Sequence, residues 1–169
     1  MGMTQEIAVQ PSESDADTFL WRVSVAEVNS AAPFSSFAGI DRHIVLLDGA
    51  GFTMTLDDDC THPLDTPFVP FAFAGESTVA VTLIDGPTRD FNLMVRRESA
   101  RGEVEVLGKS GAHALHASTV LIYAARGEVQ TPGGSLQAGD AWLAADSTNG
   151  MIMLHDDAVA LAVRINPAL

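Results

Sequence analysis

From Phe19 onward, apolar and polar residues alternate along most of the chain, and the alternation sorts it into short strands. "FLWRVSV" from Phe19 to Val25 is the first. It is followed by "HIVLLDG", "FTMTLD", "STVAVTLIDG", "RDFNLMVRR", "GEVEVL", "STVLIYAARGEV", "DAWLA", "GMIML" and "VALAVRIN". Gly or Pro punctuates nearly every junction, and no window of about 11 residues keeps a helical period. The pattern predicts an all-β chain of mostly antiparallel strands, with no helix longer than about three turns. Trp21 and Trp142 each sit in an alternating apolar row and are expected inside. Ser24 and Glu27 fall at capping-box spacing, which predicts one helical turn after the first strand. "NSAAPFSSFAGIDR" is rich in Ser, Gly and Pro and reads as a loop. Residues 1–17 are polar and acidic and read as a loose lead-in.

One strand departs from a simple wetted face. In "DFNLMVRR", Phe91, Leu93 and Val95 make an apolar row, while Asp90, Asn92, Met94 and Arg96 point the other way. A weak internal repeat bears on this. "HIVLLDGAGFTMT" from His43 lies over "TVLIYAARGEVQT" from Thr119, setting Gly51 on Gly127, and "FAGES" lies over "QAGDA". "DFNLMVR" from Asp90 then lies over "AVALAVR" from Ala158. That alignment replaces Asp90 and Asn92 by Ala158 and Ala160, keeps Arg96 as Arg164 and sets Arg42 on Ser118. The repeat predicts two β-barrels in tandem, over 18–110 and 111–169, with the break between Gly108 and Ala117. Because the second copy builds the same strand with alanines, the scaffold itself does not require a polar row.

At 169 residues, 47% hydrophobic and 18% charged, the chain has enough apolar side chain for a sizeable core. Its formal net charge of −13, with only nine Lys plus Arg, repels phosphate backbones and anionic lipid heads. Neither nucleic acid nor membrane is expected as a partner. Cys60 is the only cysteine, so no intrachain disulfide forms, which fits a reducing cytoplasm. The N-terminus lacks the cationic start and apolar run of a signal peptide, and no window approaches the roughly 18 apolar residues of a membrane span. A cytoplasmic location is the expectation. Small antiparallel barrels leave edge strands that need covering, so a homodimer is also expected.

Most familiar chemistries lack their residues. The histidines are His43, His62, His113, His116 and His155, and none forms the His-x-His pair of a barrel metal site. No metal and no cofactor are expected. There is no Gly-x-Ser-x-Gly elbow, and Cys60 sits beside the acidic run Asp57, Asp58 and Asp59 rather than beside the basic groups of a nucleophilic cysteine. The same run lacks the spaced ligands of a calcium loop and reads as a solvated turn. What remains is a polar set in the first half: Ser35, Ser36, Asp41, Arg42, Asp90, Asn92 and Arg96. Two readings fit it. Asp41 and Asp90 could pair with an arginine in a buried network that closes the barrel. Alternatively, Arg42 and Arg96 approach one pocket and grip a ligand carboxylate, with Asn92 as orienting amide and Ser36 supplying a hydroxyl.

The stretches "WRVSVAEV", "PFSSFAGIDRHIVLLDGAGFTMTL" and "TRDFNLMVRR", in this order and spacing, resemble the HutD/Ves family. The resemblance covers Phe19 to the C-terminus and is most specific at Phe34-Ser35, Asp41-Arg42 and Asp90-Phe91-Asn92. It implies a bicupin, two fused cupin barrels without the usual metal triad. It also implies a link to histidine utilisation, in which the protein senses or buffers an intermediate such as formylglutamate. In "FAGID", Ala38 stands where the family more usually has proline, which loosens that loop. Two function classes follow. One is a non-catalytic binder of a small carboxylic acid. The other is a metal-independent or weakly metal-dependent cupin enzyme, an isomerase or lyase acting on such an acid. The absence of a His base paired with a carboxylate favours the binder.

Overall fold

The computed structural model describes residues 3–15, 17–144 and 150–168, and among them every regular element is a strand. The first compact unit runs to Arg101 and includes Ala168; the second runs from Gly102 to Pro167. In chain order the strands are β1 (Thr4–Pro11), β2 (Phe19–Val28), β3 (Ile40–Asp48), β4 (Phe52–Leu56), β5 (Cys60–Leu64), β6 (Phe71–Ala74), β7 (Val79–Leu83) and β8 (Thr88–Arg96). They continue as β9 (Ala100–Leu107), β10 (Gly111–Ala114), β11 (Thr119–Arg126), β12 (Val129–Thr131), β13 (Gly134–Leu136), β14 (Ala141–Leu143), β15 (Met151–Leu154) and β16 (Val159–Pro167).

The first unit holds a sheet ordered β1-β2-β8-β3-β6 and a smaller one ordered β5-β4-β7. The second holds β14-β11-β16-β9 and β10-β15-β12-β13. With β1 and β10 set aside, the two orders are the same: β9 takes the place of β2, β16 of β8, β11 of β3 and β14 of β6. The internal repeat is therefore a repeat of topology. It also moves the break. Strand β9 opens the second copy, so the division falls at Arg101 and Gly102 rather than between Gly108 and Ala117.

Ladder register corrects the residue alignment as well. In the first unit Leu46 faces Asp90 and Ile44 faces Asn92, with a bulge just beyond Leu46. In the second, Ala124 faces Ala160 and Ile122 faces Ala162, with the matching bulge just beyond Ala124. The counterparts of Asp90 and Asn92 are thus Ala160 and Ala162, and those of Met94 and Arg96 are Arg164 and Asn166. Matching Gly51 to Gly127 slides one of these strands by two residues, and laying Asp90 on Ala158 slides the other by two. A slip of that size keeps every side chain on its own face, so an alternating pattern cannot detect it. Arg164 is held instead by the carboxylates of Glu105 and Glu103.

Each unit closes on its own core. The first gathers Ile44, Leu46, Phe52, Met54 and Val81, among others, with Phe34, Phe71 and Phe73 at its edge. The second gathers Ile122, Val129, Ile152 and Leu154 with Ala158, Ala160 and Ala162. Trp21 is buried as expected, whereas Trp142 is half-buried, its ring edge against Gly133.

Two local expectations fail for tertiary reasons. Thr4–Pro11 is not a loose lead-in but pairs antiparallel with β2. The helical turn expected at Ser24 does not form, because β2 continues to Val28 and is paired with β8 along that length. Asp57 and Asp58 form the β4–β5 turn with left-handed φ of 53° and 58°, a conformation Asp tolerates well. The Asp57 carboxylate there accepts the Thr78 backbone N–H at 2.9 Å.

Candidate functional site

Strand β8 lies between β2 and β3, and its register decides what its polar row meets. Asn92 is flanked by Ser24 of β2 and Ile44 of β3, and Asp90 by Ala26 and Leu46. On the opposite face Phe91, Leu93 and Val95 are fully buried. The polar face is buried too: Asp90 is 1% exposed, Asn92 4% and Met94 6%. Solvation therefore does not explain the row. It lines a cavity of about 400 Å³ in the first barrel, walled by Ser24, Arg42, Asp90, Asn92 and Met94.

The serine- and proline-rich loop between β2 and β3 supplies the other wall, including Phe34, Ser35 and Phe37. Backbone bonds hold it in place. The Phe34 N–H donates to the Val79 carbonyl at 3.1 Å and the Phe37 N–H to the Gly75 carbonyl at 2.7 Å. Gly75 must be glycine for this contact, since a Cβ there would meet the carbonyl oxygens of Phe37 and Ile40 at 2.6 and 2.7 Å.

Arg42 is 7% exposed, and its Nη2 donates to Asn92 Oδ1 at 3.3 Å. The Asn92 amide donates in turn to Asp90 Oδ1. Asn92 thus spends its acceptor on the cation and its donor on the anion. Two atoms of this hydrogen-bonded trio are left over: Arg42 Nε and Asp90 Oδ2 are buried with no hydrogen-bond partner. Among the described residues no carboxylate forms an ion pair with Arg42. Its guanidinium is surrounded by aromatic rings, 5.0 Å from the centroid of Phe73 and 5.5 Å from those of Phe34 and Phe37, within cation–π range.

These surroundings shift both charged groups. Burial lowers Arg42 to about 10, against the opposing pull of the Asp90 charge. Burial raises Asp90 to about 7, although the Asn92 hydrogen bond and the Arg42 charge pull it down. A guanidinium that is desolvated, ringed by apolar faces and only partly satisfied costs free energy to maintain. The arrangement suits reception of an acidic group.

Three residues expected at the pocket lie elsewhere. Arg96 shares the inner face of β8 but stands at its end, where Nε donates to the Phe19 carbonyl at 3.0 Å and the guanidinium packs over the Phe19 ring. Asp41 neighbours Arg42 and so faces the other side of β3, where it accepts from Arg97 Nε at 2.6 Å. Arg97 also grips Glu76 through both terminal nitrogens, at 2.9 and 3.0 Å. That hydrogen bond, and a second from the Gly39 N–H, bring Glu76 down to about 2. Ser36 is exposed, and its hydroxyl reaches the Gly75 and Glu76 carbonyls at 3.5 and 3.4 Å. Conversely, Ser24, Phe34 and Phe37 line the cavity. Ser24 stands directly across from Asn92 on the neighbouring strand, a signal hidden by its resemblance to a helix cap.

Among the described residues, no three His, Cys, Asp or Glu side chains gather as a metal site. Nor, among the described residues, is any helix long and apolar enough to cross a membrane.

Comparison with known proteins gives a consistent result. The HutD family model matches residues 1–163. An uncharacterised 21.2 kDa protein from the hutC 3′ region of Pseudomonas putida is 38% identical over 129 residues, covering 76% of this chain and 67% of that one. Protein Ves of Citrobacter koseri is 34% identical over 147 residues, covering 86% and 71%. The structure of HutD from Pseudomonas fluorescens SBW25 superposes with a TM-score of 0.83 at 30% identity, over 99% of this chain and 90% of that one. A cupin 2 conserved barrel domain protein from Leptotrichia buccalis, at 6% identity and a TM-score of 0.63, covers 98% of this chain and 89% of its own, and supports the fold alone. The fold is a tandem pair of cupin barrels.

Proposed function

The chain belongs to the HutD family, and on that footing we propose that its first barrel binds a small carboxylic acid of histidine utilisation without turning it over. Formylglutamate is the acid that best fits this reading. One observation carries it: Arg42 is buried against the cavity, held by Asn92, and its Nε–H has no partner, while among the described residues no carboxylate is paired with it. A planar guanidinium in such a place is suited to a carboxylate. A cavity of about 400 Å³ lies within the size range of small-molecule sites. Phe34 and Phe37 offer apolar contact to the ligand's carbon chain, and Ser24 a hydroxyl.

The direct test is calorimetry of the intact chain with formylglutamate, glutarate and the uncharged dimethyl ester of glutarate. The acids bind and are recovered unchanged. The ester binds roughly 30-fold or more weakly, the scale of losing a desolvated charged hydrogen bond. Equal binding of acid and ester would overturn the assignment, and steady conversion of a bound acid would overturn the non-catalytic part.

A further inference from the structure

We propose that Asp90 takes up a proton when an acid binds at Arg42, so that the cavity binds each acid molecule together with one proton. This rests on the reading of the cavity as an acid-binding site. The reasoning begins with Asn92, whose carboxamide is committed at both ends, accepting from Arg42 and donating to Asp90. Asp90 is therefore stabilised as an anion at Oδ1 only; Oδ2 is buried with no donor. The positive charge of Arg42 and the negative charge of ionised Asp90 balance across that amide. A ligand carboxylate at Arg42 adds a second negative charge beside the same guanidinium. Two carboxylates crowded into one poorly solvated site do not both stay ionised, and the pair holds a proton between them.

Neighbouring charges do not relieve the conflict. From β2, Arg22 and Glu27 reach the cavity wall, but Arg22 is already paired with Glu6 of β1 at 2.9 Å. From β3 the cation is Arg42 itself. The β2–β3 loop, residues 29–39, carries no charged side chain. From the facing sheet the titratable group is His62, stacked on Phe71 with ring centroids 3.7 Å apart. The proton is thus assigned to the unsatisfied oxygen of Asp90. Burial has already brought that carboxyl up to about 7, and the added repulsion of the second carboxylate carries it well above neutral pH.

The test is proton counting. Formylglutamate is titrated into the intact chain in two non-phosphate buffers of different ionisation heat at each pH, MES and imidazole at the lower and HEPES and Tris at the higher, and the heat difference gives protons taken up per ligand. Uptake is small at about pH 6, where Asp90 is largely protonated before binding, and approaches one at about pH 8. Affinity falls toward tenfold per pH unit above about pH 8. Asp90→Asn abolishes the uptake and flattens the pH dependence; His62→Gln keeps both. Binding without uptake at about pH 8 overturns the coupling while leaving the acid site intact. Uptake that survives in Asp90→Asn, or disappears in His62→Gln, also overturns it. Absence of any binding across that range overturns the acid-site reading, and the coupling with it.

Discussion

Arg42 and Arg96 have the same chemistry and point to the same side of the first barrel's large sheet, yet only Arg42 reaches the cavity. Arg96 is four positions beyond Asn92, about 13 Å along an extended strand, and its guanidinium is taken up by Phe19. Alternation in the sequence could give the face but not the depth. It did carry enough to exclude Asp41, because adjacent residues on a strand face opposite sides. Asp90 and Asn92 were legible because the second copy of the repeat builds the same strand with alanines, so the scaffold does not require an acid and an amide there. At this scale the first prediction concerns Asp90. Its carboxyl rises from 3.8 to about 7 on folding, so between those values the native state keeps a proton that the unfolded chain has released. The stability it contributes is fully present below 3.8 and is lost as pH rises through about 7. Denaturant melts at a series of pH values are expected to show this slope in the parent and not in Asp90→Asn. Parallel profiles in the two proteins would refute the assignment.

The contrast between the two copies belongs to the scale of elements. Strands β8 and β16 occupy equivalent places in equivalent sheets, but β16 turns Ala160 and Ala162 inward where β8 turns Asp90 and Asn92. The second barrel uses the position for packing and the first for polar groups. Introducing the amide into the second copy is therefore expected to be costly. Ala162→Asn buries a carboxamide with no Arg42 or Asp90 to meet it and should destabilise by about 1–3 kcal/mol in denaturant unfolding; a neutral change would show that β16 also borders a polar space. The sequence repeat made this contrast visible, though two residues out of register. It could not show that the β2–β3 loop forms the cavity wall, because that depends on bonds to Val79 and Gly75, distant in the chain. Gly75→Ala tests the loop's role. Its added Cβ collides with backbone oxygens of Phe37 and Ile40, which should cost about 1–3 kcal/mol of stability. The shift moves Phe37 and weakens acid binding, as calorimetry would register; unchanged affinity in a folded variant would remove the loop from the site.

Over the whole molecule, the acidic balance sets how a ligand arrives. A net charge of −13 repels an anion until it is within reach of Arg42, and salt screens that repulsion beyond roughly 10 Å. Stopped-flow association of formylglutamate is accordingly expected to speed up as salt is raised; a rate that falls with salt would contradict this and point to local attraction at the cavity mouth. Membership of the HutD family and the tandem cupin fold were legible from motif order and alternation, since both are properties of pattern. The cavity of the first barrel was not, because it depends on which polar residues of that pattern are buried together. The central claim is that each chain holds one acid site, and that Arg42 makes it. The measurement that tests this most directly is calorimetric titration of formylglutamate into the parent, Arg42→Ala and Arg96→Ala, with unfolding midpoints recorded alongside. The account predicts one ligand per chain, a loss of roughly 30-fold or more for Arg42→Ala and little change in affinity for Arg96→Ala. A folded Arg42→Ala that binds as tightly as the parent would contradict it.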